Sequence, residues 1–139
     1  MTPSSKEIQT GIKTALETAL TGTHWRVTVD DVIPGNPQNL LVINESAGND
    51  DSAQALDAWD ELVTLHYYDH GTTASIDVKT AMATVVSALQ HTPITLSNDH
   101  TNVCISLDGS NIFREGDTQP ATRVSHGIQT WRIRTEYDG

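Results

Sequence analysis

The chain has 139 residues and a mass of 15.1 kDa, the size of one ordinary domain, and we predict a single domain over 1–139. Eighteen Asp and Glu outnumber eight Lys and Arg, which gives a formal net charge of −10 at pH 7. A surface of this sign repels phosphate backbones, so tight nucleic-acid binding is not expected. The single cysteine, Cys104, excludes an intramolecular disulfide and a cysteine-based zinc site.

Neither a membrane span nor a signal peptide is expected. No apolar run reaches the roughly 18 residues that cross a bilayer, and the first residues lack the apolar core of a signal peptide. We therefore expect a protein that is made in the cytoplasm and has no membrane contact.

An amphipathic helix is predicted near the start of the chain. Ser4 and Glu7 have the spacing of a capping box. Apolar residues then follow at every fourth position: Ile8, Ile12, Leu16 and Leu20. This spacing predicts a helix from Lys6 to Leu20 with one face against a core. Gly11 lies inside it and should weaken it by up to about 1 kcal/mol relative to alanine.

Three strands and a loop are predicted next. Alternation over 24–29 predicts a half-buried strand, and the apolar run 40–43 predicts a strand covered on both faces. Residues 45–57 have no periodicity but many acidic and small side chains, which is typical of a surface loop or of the mobile tip of a hairpin. Alternation resumes over 59–68, where the chain is expected to re-enter the sheet.

A second helix follows. Thr73 or Ser75 can cap it, Gln90 is its last predicted residue, and Pro93 ends it. The side chains expected to face the sheet form one stripe, with Ala81 and Ala88 beside it: Ile76, Lys79, Met82, Val85, Val86 and Leu89.

The last third of the chain predicts a short strand at 94–96 and then a hairpin with arms at 103–107 and 123–135. The predicted order is α-β-β-β-α-β-β-β. We classify this as an α+β fold in which both helices pack on one face of a mostly antiparallel, mixed sheet.

The candidate chemical sites are weak. On a strand, His66 and His70 would be about 13 Å apart, too far to share one zinc ion at about 2 Å. Cys104 alternates with Ser106 and has no nucleophile signature around it, which is typical of a small, partly buried filler. We expect no enzyme, no metal site and no cofactor.

Two charged groups are of more interest. Half of the basic residues lie in the terminal hairpin: Arg114, Arg123, Arg132 and Arg134. They form either a solvated face that balances local acids or a docking surface for an acidic partner, such as the next copy of this acidic chain in a head-to-tail ring. The acidic group 50–51, with Asp57 nearby, lacks the alternating pattern of a calcium loop. It is typical of a solvated loop.

Two stretches of the second half match a known pattern. The first is ELVTLHYYDHGTTASIDVKTAMATVVSALQHTPITL, a strand that passes into a helix, and the second is the hairpin with FREGD and RVSHGIQTWRI. In this order they resemble the tail-terminator, or tail-completion, family of long-tailed phages and prophages. The sequence departs from the family pattern where GDTQP replaces the usual DPDG turn and where Ser125 interrupts an Arg-His-Gly string.

The resemblance implies a structural virion protein at the neck of the tail, assembled in the host cytoplasm. Such a protein forms a ring, commonly a hexamer, on the last ring of the tail tube protein, ends tube polymerisation and offers a surface to the head-completion or connector protein. Six copies of −10 would bring roughly −60 of charge around a lumen through which DNA passes without specific binding. Asp50, Asp51 and Asp57 are predicted to face this lumen or the tube.

Two alternative functions stay open at this point. The chain could be another neck component, such as a head-completion or stopper protein. It could also be a small metal-dependent or thiol enzyme that uses His66, His70, His126 or Cys104.

Overall fold

The computed structural model describes residues 5–29, 39–44, 47–50, 52, 57–70, 74–115 and 124–138. Within these residues the chain forms two helices and six strands. In chain order they are α1 (Ser5–Ala19), β1 (Arg26–Thr28), β2 (Leu40–Ile43), β3 (Ala47–Asp50), β4 (Asp57–His70), α2 (Ala74–Leu89), β5 (His100–Glu115) and β6 (Val124–Tyr137). The predicted α+β class is confirmed.

The strands form one mixed sheet in the order β1-β2-β4-β6-β5. β2 and β3 lie end to end along the same edge of β4, opposite 65–68 and 59–62 respectively. β4 and β6 pair along their whole length, from Asp57 opposite Tyr137 to His70 opposite Val124. All pairs are antiparallel except β1 with β2, so the predicted mostly antiparallel sheet is confirmed.

Both helices pack on one face of this sheet, as predicted. Odd-numbered residues of β4 and β6 point towards them, because successive side chains of a strand alternate between its faces. The core contains Val63, Leu65, Tyr67, Trp131 and Ile133 from these strands, and Ile8, Ile12 and Leu16 from α1. The predicted spacing of α1 is therefore confirmed. None of the described helices is both long and apolar enough to span a membrane.

Gly11 has a packing role in α1. A Cβ atom added at this position would lie 2.8 Å from the carbonyl oxygen of Thr95 and 2.8 Å from Cδ2 of Leu96. The glycine therefore allows the segment before β5 to approach the helix closely, and this contact offsets the helix propensity that glycine lacks.

The predicted apolar stripe of α2 is partly wrong. Ile76 is 67% exposed and Lys79 is exposed. The buried positions of the helix are Ala74, Val78, Ala81, Met82, Val85 and Leu89. α2 carries apolar residues around most of its circumference, so periodicity alone does not select the buried side. The close approach of Val78 and Met82 to Gly127 of β6 selects it.

Two strand predictions are wrong, and the observed order is α-β-β-β-β-α-β-β. Residues 47–50, predicted as part of a surface loop or hairpin tip, form β3, because the edge of the long strand β4 offers their backbone groups hydrogen-bond partners even though Gly, Asn and Asp are uncommon in strands. Residues 94–96, predicted as a strand, lie outside any strand. There the backbone N–H of Ile94 donates to Oδ1 of Asn102 at 2.8 Å, and the buried Ile94 side chain joins the core without a ladder partner.

Candidate subunit interface

The face of the sheet opposite α1 and α2 is a candidate interface. The helix-side residues of β4 and β6 are largely buried, whereas the even-numbered residues from Asp60 to Tyr68 and from His126 to Arg134 are partly exposed or exposed. We divide this face into a charged half and an aromatic half. The charged half consists of Asp60, Asp108, Arg132 and Arg134, and the aromatic half consists of His66, Tyr68, Phe113 and His126.

The charged half is organised around Arg132. Its Nη1 lies 2.8 Å from Oδ2 of Asp60 on β4, and its Nε lies 3.9 Å from Oδ1 of Asp108 on β5. Asp108 lies at an irregularity of β5 between Leu107 and Gly109. Although it contacts both acids, the Arg132 side chain remains 47% exposed. The guanidinium is thus held in place across three strands and still open to a further acidic group.

The aromatic half is a row of rings across the same three strands. The ring of His126 lies 4.3 Å from that of Tyr68 and 6.1 Å from that of Phe113, measured between centroids. Nε2 of His126 is 2.8 Å from Nδ1 of His66. Phe113 is 41% exposed, so this end of the face presents apolar surface to a partner.

A side-chain amide orders the two imidazoles. Nδ2 of Asn44 lies 2.8 Å from Nε2 of His66. With the amide in this orientation it donates to Nε2, so His66 carries its proton on Nδ1 and donates to Nε2 of His126. This chain of donors joins the end of β2 to β4 and β6 on the helix-free face.

Three of the four arginines predicted as one docking surface lie on described strands, and they do not form one group. Arg132 and Arg134 are both in the charged half. The backbone of Arg114 lies opposite Ser125, at the other end of β6, and Arg123 lies outside the described residues. The structure thus brings two of the four together.

Two of the three acidic residues predicted to line a lumen, Asp50 and Asp57, lie at the same end of the sheet as the charged half. Asp50 is the last residue of β3, and Asp57 is the first residue of β4. Ser52 joins them, since its N–H donates to Oδ1 of Asp50 at 2.8 Å and its hydroxyl donates to Oδ1 of Asp57 at 3.1 Å. Hydrogen bonds from the side chain and backbone of Ser52 lower the pKa of Asp50. Asp51 lies outside the described residues.

The sequence alone did not predict which side chains of this face contact each other. His66 is paired with His126, 60 residues away, and not with His70. Arg132 is paired with Asp60, 72 residues away. No local spacing signals either contact, because both depend on how β4 and β6 align. Cys104, predicted as a partly buried filler, is exposed, because it lies on the helix-free face of the outer strand β5.

Comparisons with known proteins agree with this architecture. A family model described as "Tail completion protein gp17" matches residues 10–136. No curated protein matches the sequence. A chain of the solved structure "Virion of native gene transfer agent (GTA) particle" has the same fold, with a TM-score of 0.76 and 18% identity over 98% of this chain and 99% of that chain. This chain therefore belongs to the tail completion protein gp17 family and is a structural protein of the virion tail.

Proposed function

We propose that this protein caps the tail tube at the neck of the particle. Six copies form a ring that sits on the last ring of tail tube protein, ends tube polymerisation and presents a surface to the head-completion or connector protein. DNA passes through the lumen without specific binding. The protein acts without catalysis, since a cap requires a rigid scaffold and complementary edges and needs no reactive group.

The observation that supports a ring most directly is the placement of charge. Arg132 and Arg134 lie on β6, next to the outer strand β5. Asp50 lies on β3, at the opposite edge of the sheet and at the same end. A head-to-tail contact therefore brings acids of one copy towards arginines of the next, and repetition of such a contact by rotation closes a ring.

The net charge of the chain supports passage of DNA. Six copies of −10 bring roughly −60 of formal charge to the ring, and walls with the sign of the phosphates disfavour lasting contacts. In this proposal Asp50, Asp51 and Asp57 face the lumen or the tube.

The capping role is tested by complementing a lysate that lacks its tail terminator. Adding the purified protein should replace overlong, irregular tubes by tubes of uniform length, measured by electron microscopy. Tubes that stay overlong would contradict the role. Protein recovered with purified heads and absent from head-free tails would indicate a stopper instead.

The subunit contact is tested by charge reversal. Replacing both Arg132 and Arg134 by Glu should abolish ring formation, because two attractive contacts with the acidic neighbour become repulsive. The matched control replaces Lys13 and Lys79 on the helices by Glu, which makes the same change in net charge. Rings that form normally with the arginine variant would remove these residues from the interface.

The lumen assignment has its own test. Replacing Asp50, Asp51 and Asp57 by Asn should slow DNA ejection from otherwise normal particles, because phosphates would then adhere more readily to the wall. Unchanged ejection kinetics with normal tails would place these acids elsewhere.

A further inference from the structure

The two outer strands of the described sheet each contribute a residue to one row of paired residues that crosses the sheet. β1 forms one edge and β5 the other. One row runs across the whole sheet through Val27, Leu41, Tyr67, Gly127 and Ile112. The edge of β1 and the part of β5 around Ile112 therefore lie at the same height on opposite sides of the molecule.

The strand directions suit a head-to-tail contact. β1 runs parallel to β2, and three antiparallel steps lead from β2 through β4 and β6 to β5. β1 and β5 thus run in opposite directions. Rotation about an axis along the strands preserves direction, so β5 of one copy meets β1 of the next in the antiparallel sense, which is the more stable pairing.

Among the residues that the structure describes, those that cover the outer edge of β5 do so over one half only. The carbonyl oxygen of Ile105 accepts from the N–H of His91 at 3.1 Å, and the N–H of Leu107 donates to Oε1 of Gln90 at 2.8 Å. The residues after α2 thus protect this half against strand addition, as natural edge strands require.

The other half of β5 differs. Beyond the irregularity between Leu107 and Gly109, alternation directs the backbone groups of Ser110 and Ile112 outward and those of Asn111 towards β6. The N–H of Ile112 donates to Oδ1 of Asn111 at 2.9 Å, a contact within the edge itself. Gly109, Ser110 and Asn111 are exposed, so another strand can reach this half from solvent.

We propose that 109–113 of β5 pairs antiparallel with β1 of the next copy, so that the sheets of the ring join into one continuous wall. This inference rests on the ring of the proposed function and adds how its subunits meet. β1 has only three residues, so each joint contains few hydrogen bonds. Free subunits then associate weakly, and closure on a tube stabilises the ring.

The test removes one backbone N–H donor that points away from β6, at the outer edge of β5. Ser110→Pro deletes the outward N–H and leaves the ladder to β6, as proline does on an edge strand, whereas Ser110→Ala keeps the N–H. Ser110→Pro should keep its circular dichroism spectrum but associate about tenfold more weakly at each joint, and Ser110→Ala should match the wild type. The N–H of Asn111 faces β6, so the Asn111→Pro protein should instead fail to fold.

Both proline variants and the wild type are assayed on tubes from the terminator-null lysate. Wild-type protein that leaves tubes overlong overturns the proposed function. Wild-type capping that Ser110→Pro matches at every concentration overturns the edge pairing alone.

A cysteine experiment decides the matter even if Ser110→Pro fails to fold. With the exposed Cys104 replaced by Ser, cysteines at Val29 and Ser110 should form disulfides between copies in assembled rings and yield a ladder up to six subunits, because Val29 lies opposite Ser110 when Val27 lies opposite Ile112. The control pairs Val29 with Thr101, which is exposed on the covered half of β5. Crosslinking through Thr101 with none through Ser110 overturns the proposal.

Discussion

Oε1 of Gln129 accepts a hydrogen bond from the hydroxyl of Tyr67, 2.5 Å away in the core. Nε2 of the same amide donates to the carbonyl oxygen of Met82 in α2 at 3.1 Å, and Nε1 of Trp131 lies 3.4 Å from Oε1. Burial raises the pKa of Tyr67, so its hydroxyl stays a donor. A single buried amide therefore ties β4, β6 and α2 together.

Replacing Gln129 by Leu should lower the free energy of unfolding by about 2–4 kcal/mol, because buried partners are left without hydrogen bonds. Tyr67→Phe removes one of those partners and should cost only about 1 kcal/mol. The double variant should be more stable than the sum of the single effects implies. Urea unfolding measures all three, and a Gln129→Leu protein as stable as the wild type would show that the amide contributes nothing.

Gly127→Ala should destabilise the protein by about 1–3 kcal/mol, as overpacking a core does. The added Cβ would lie 2.6 Å from Sδ of Met82 and 2.7 Å from Cγ1 of Val78. Val78→Ala should recover part of the loss by removing one contact. Gly109→Ala is the matched control, since nothing lies within 4 Å of its added Cβ. Equal melting temperatures for the two alanine variants would contradict the close approach of α2.

Ionised Glu7 should stabilise the protein, and this stabilisation should be lost in acid. Burial disfavours its charged form, but hydrogen bonds from Asn98 and the backbone, with the nearby His100 and Lys6, together lower the pKa of Glu7. A lowered pKa stabilises the fold above the unfolded value of about 4.3, and this stabilisation disappears as the pH falls through the folded value. The stability difference between wild type and Glu7→Gln should therefore shrink below about pH 4.

Asn98→Gly provides the control for Glu7. Glycine keeps the positive φ of 56° but lacks the amide that donates to Oε1 of Glu7 at 3.1 Å. This variant should reduce the acid dependence without removing it. Denaturant unfolding across the acid range measures the effect, and parallel pH profiles for wild type and Glu7→Gln would rule out the assigned role.

Arg132→Ala should change the free energy of unfolding by less than about 1 kcal/mol, because exposed ion pairs contribute little. Its partner Asp60 is 27% exposed and Arg132 itself 47%. Thermal unfolding checks this, with Asp60→Asn as the matched loss of the other partner. A much larger loss would mean that assembly defects of Arg132 variants reflect misfolding and not a broken interface.

The local pattern of the sequence was sufficient to predict several elements of this protein and its family. The four-residue spacing from Ile8 to Leu20 predicted α1, and the alternation over 59–68 predicted the strand β4. The strings from 59 to 136 indicated the family to which the chain belongs. These features are readable because the side-chain period of a helix or strand is set by its own backbone geometry.

Only the tertiary structure determined which residues of different strands and helices lie opposite each other. Only the register of β4 with β6 places His66 beside His126 and Arg132 beside Asp60, because pairing across 60 or more residues leaves no local trace. The long partner β4 converts 47–50 into a strand, and Gly127 selects the buried side of α2. The edges through which copies meet in our proposal also follow from strand order, a property of the assembled sheet and of no single segment.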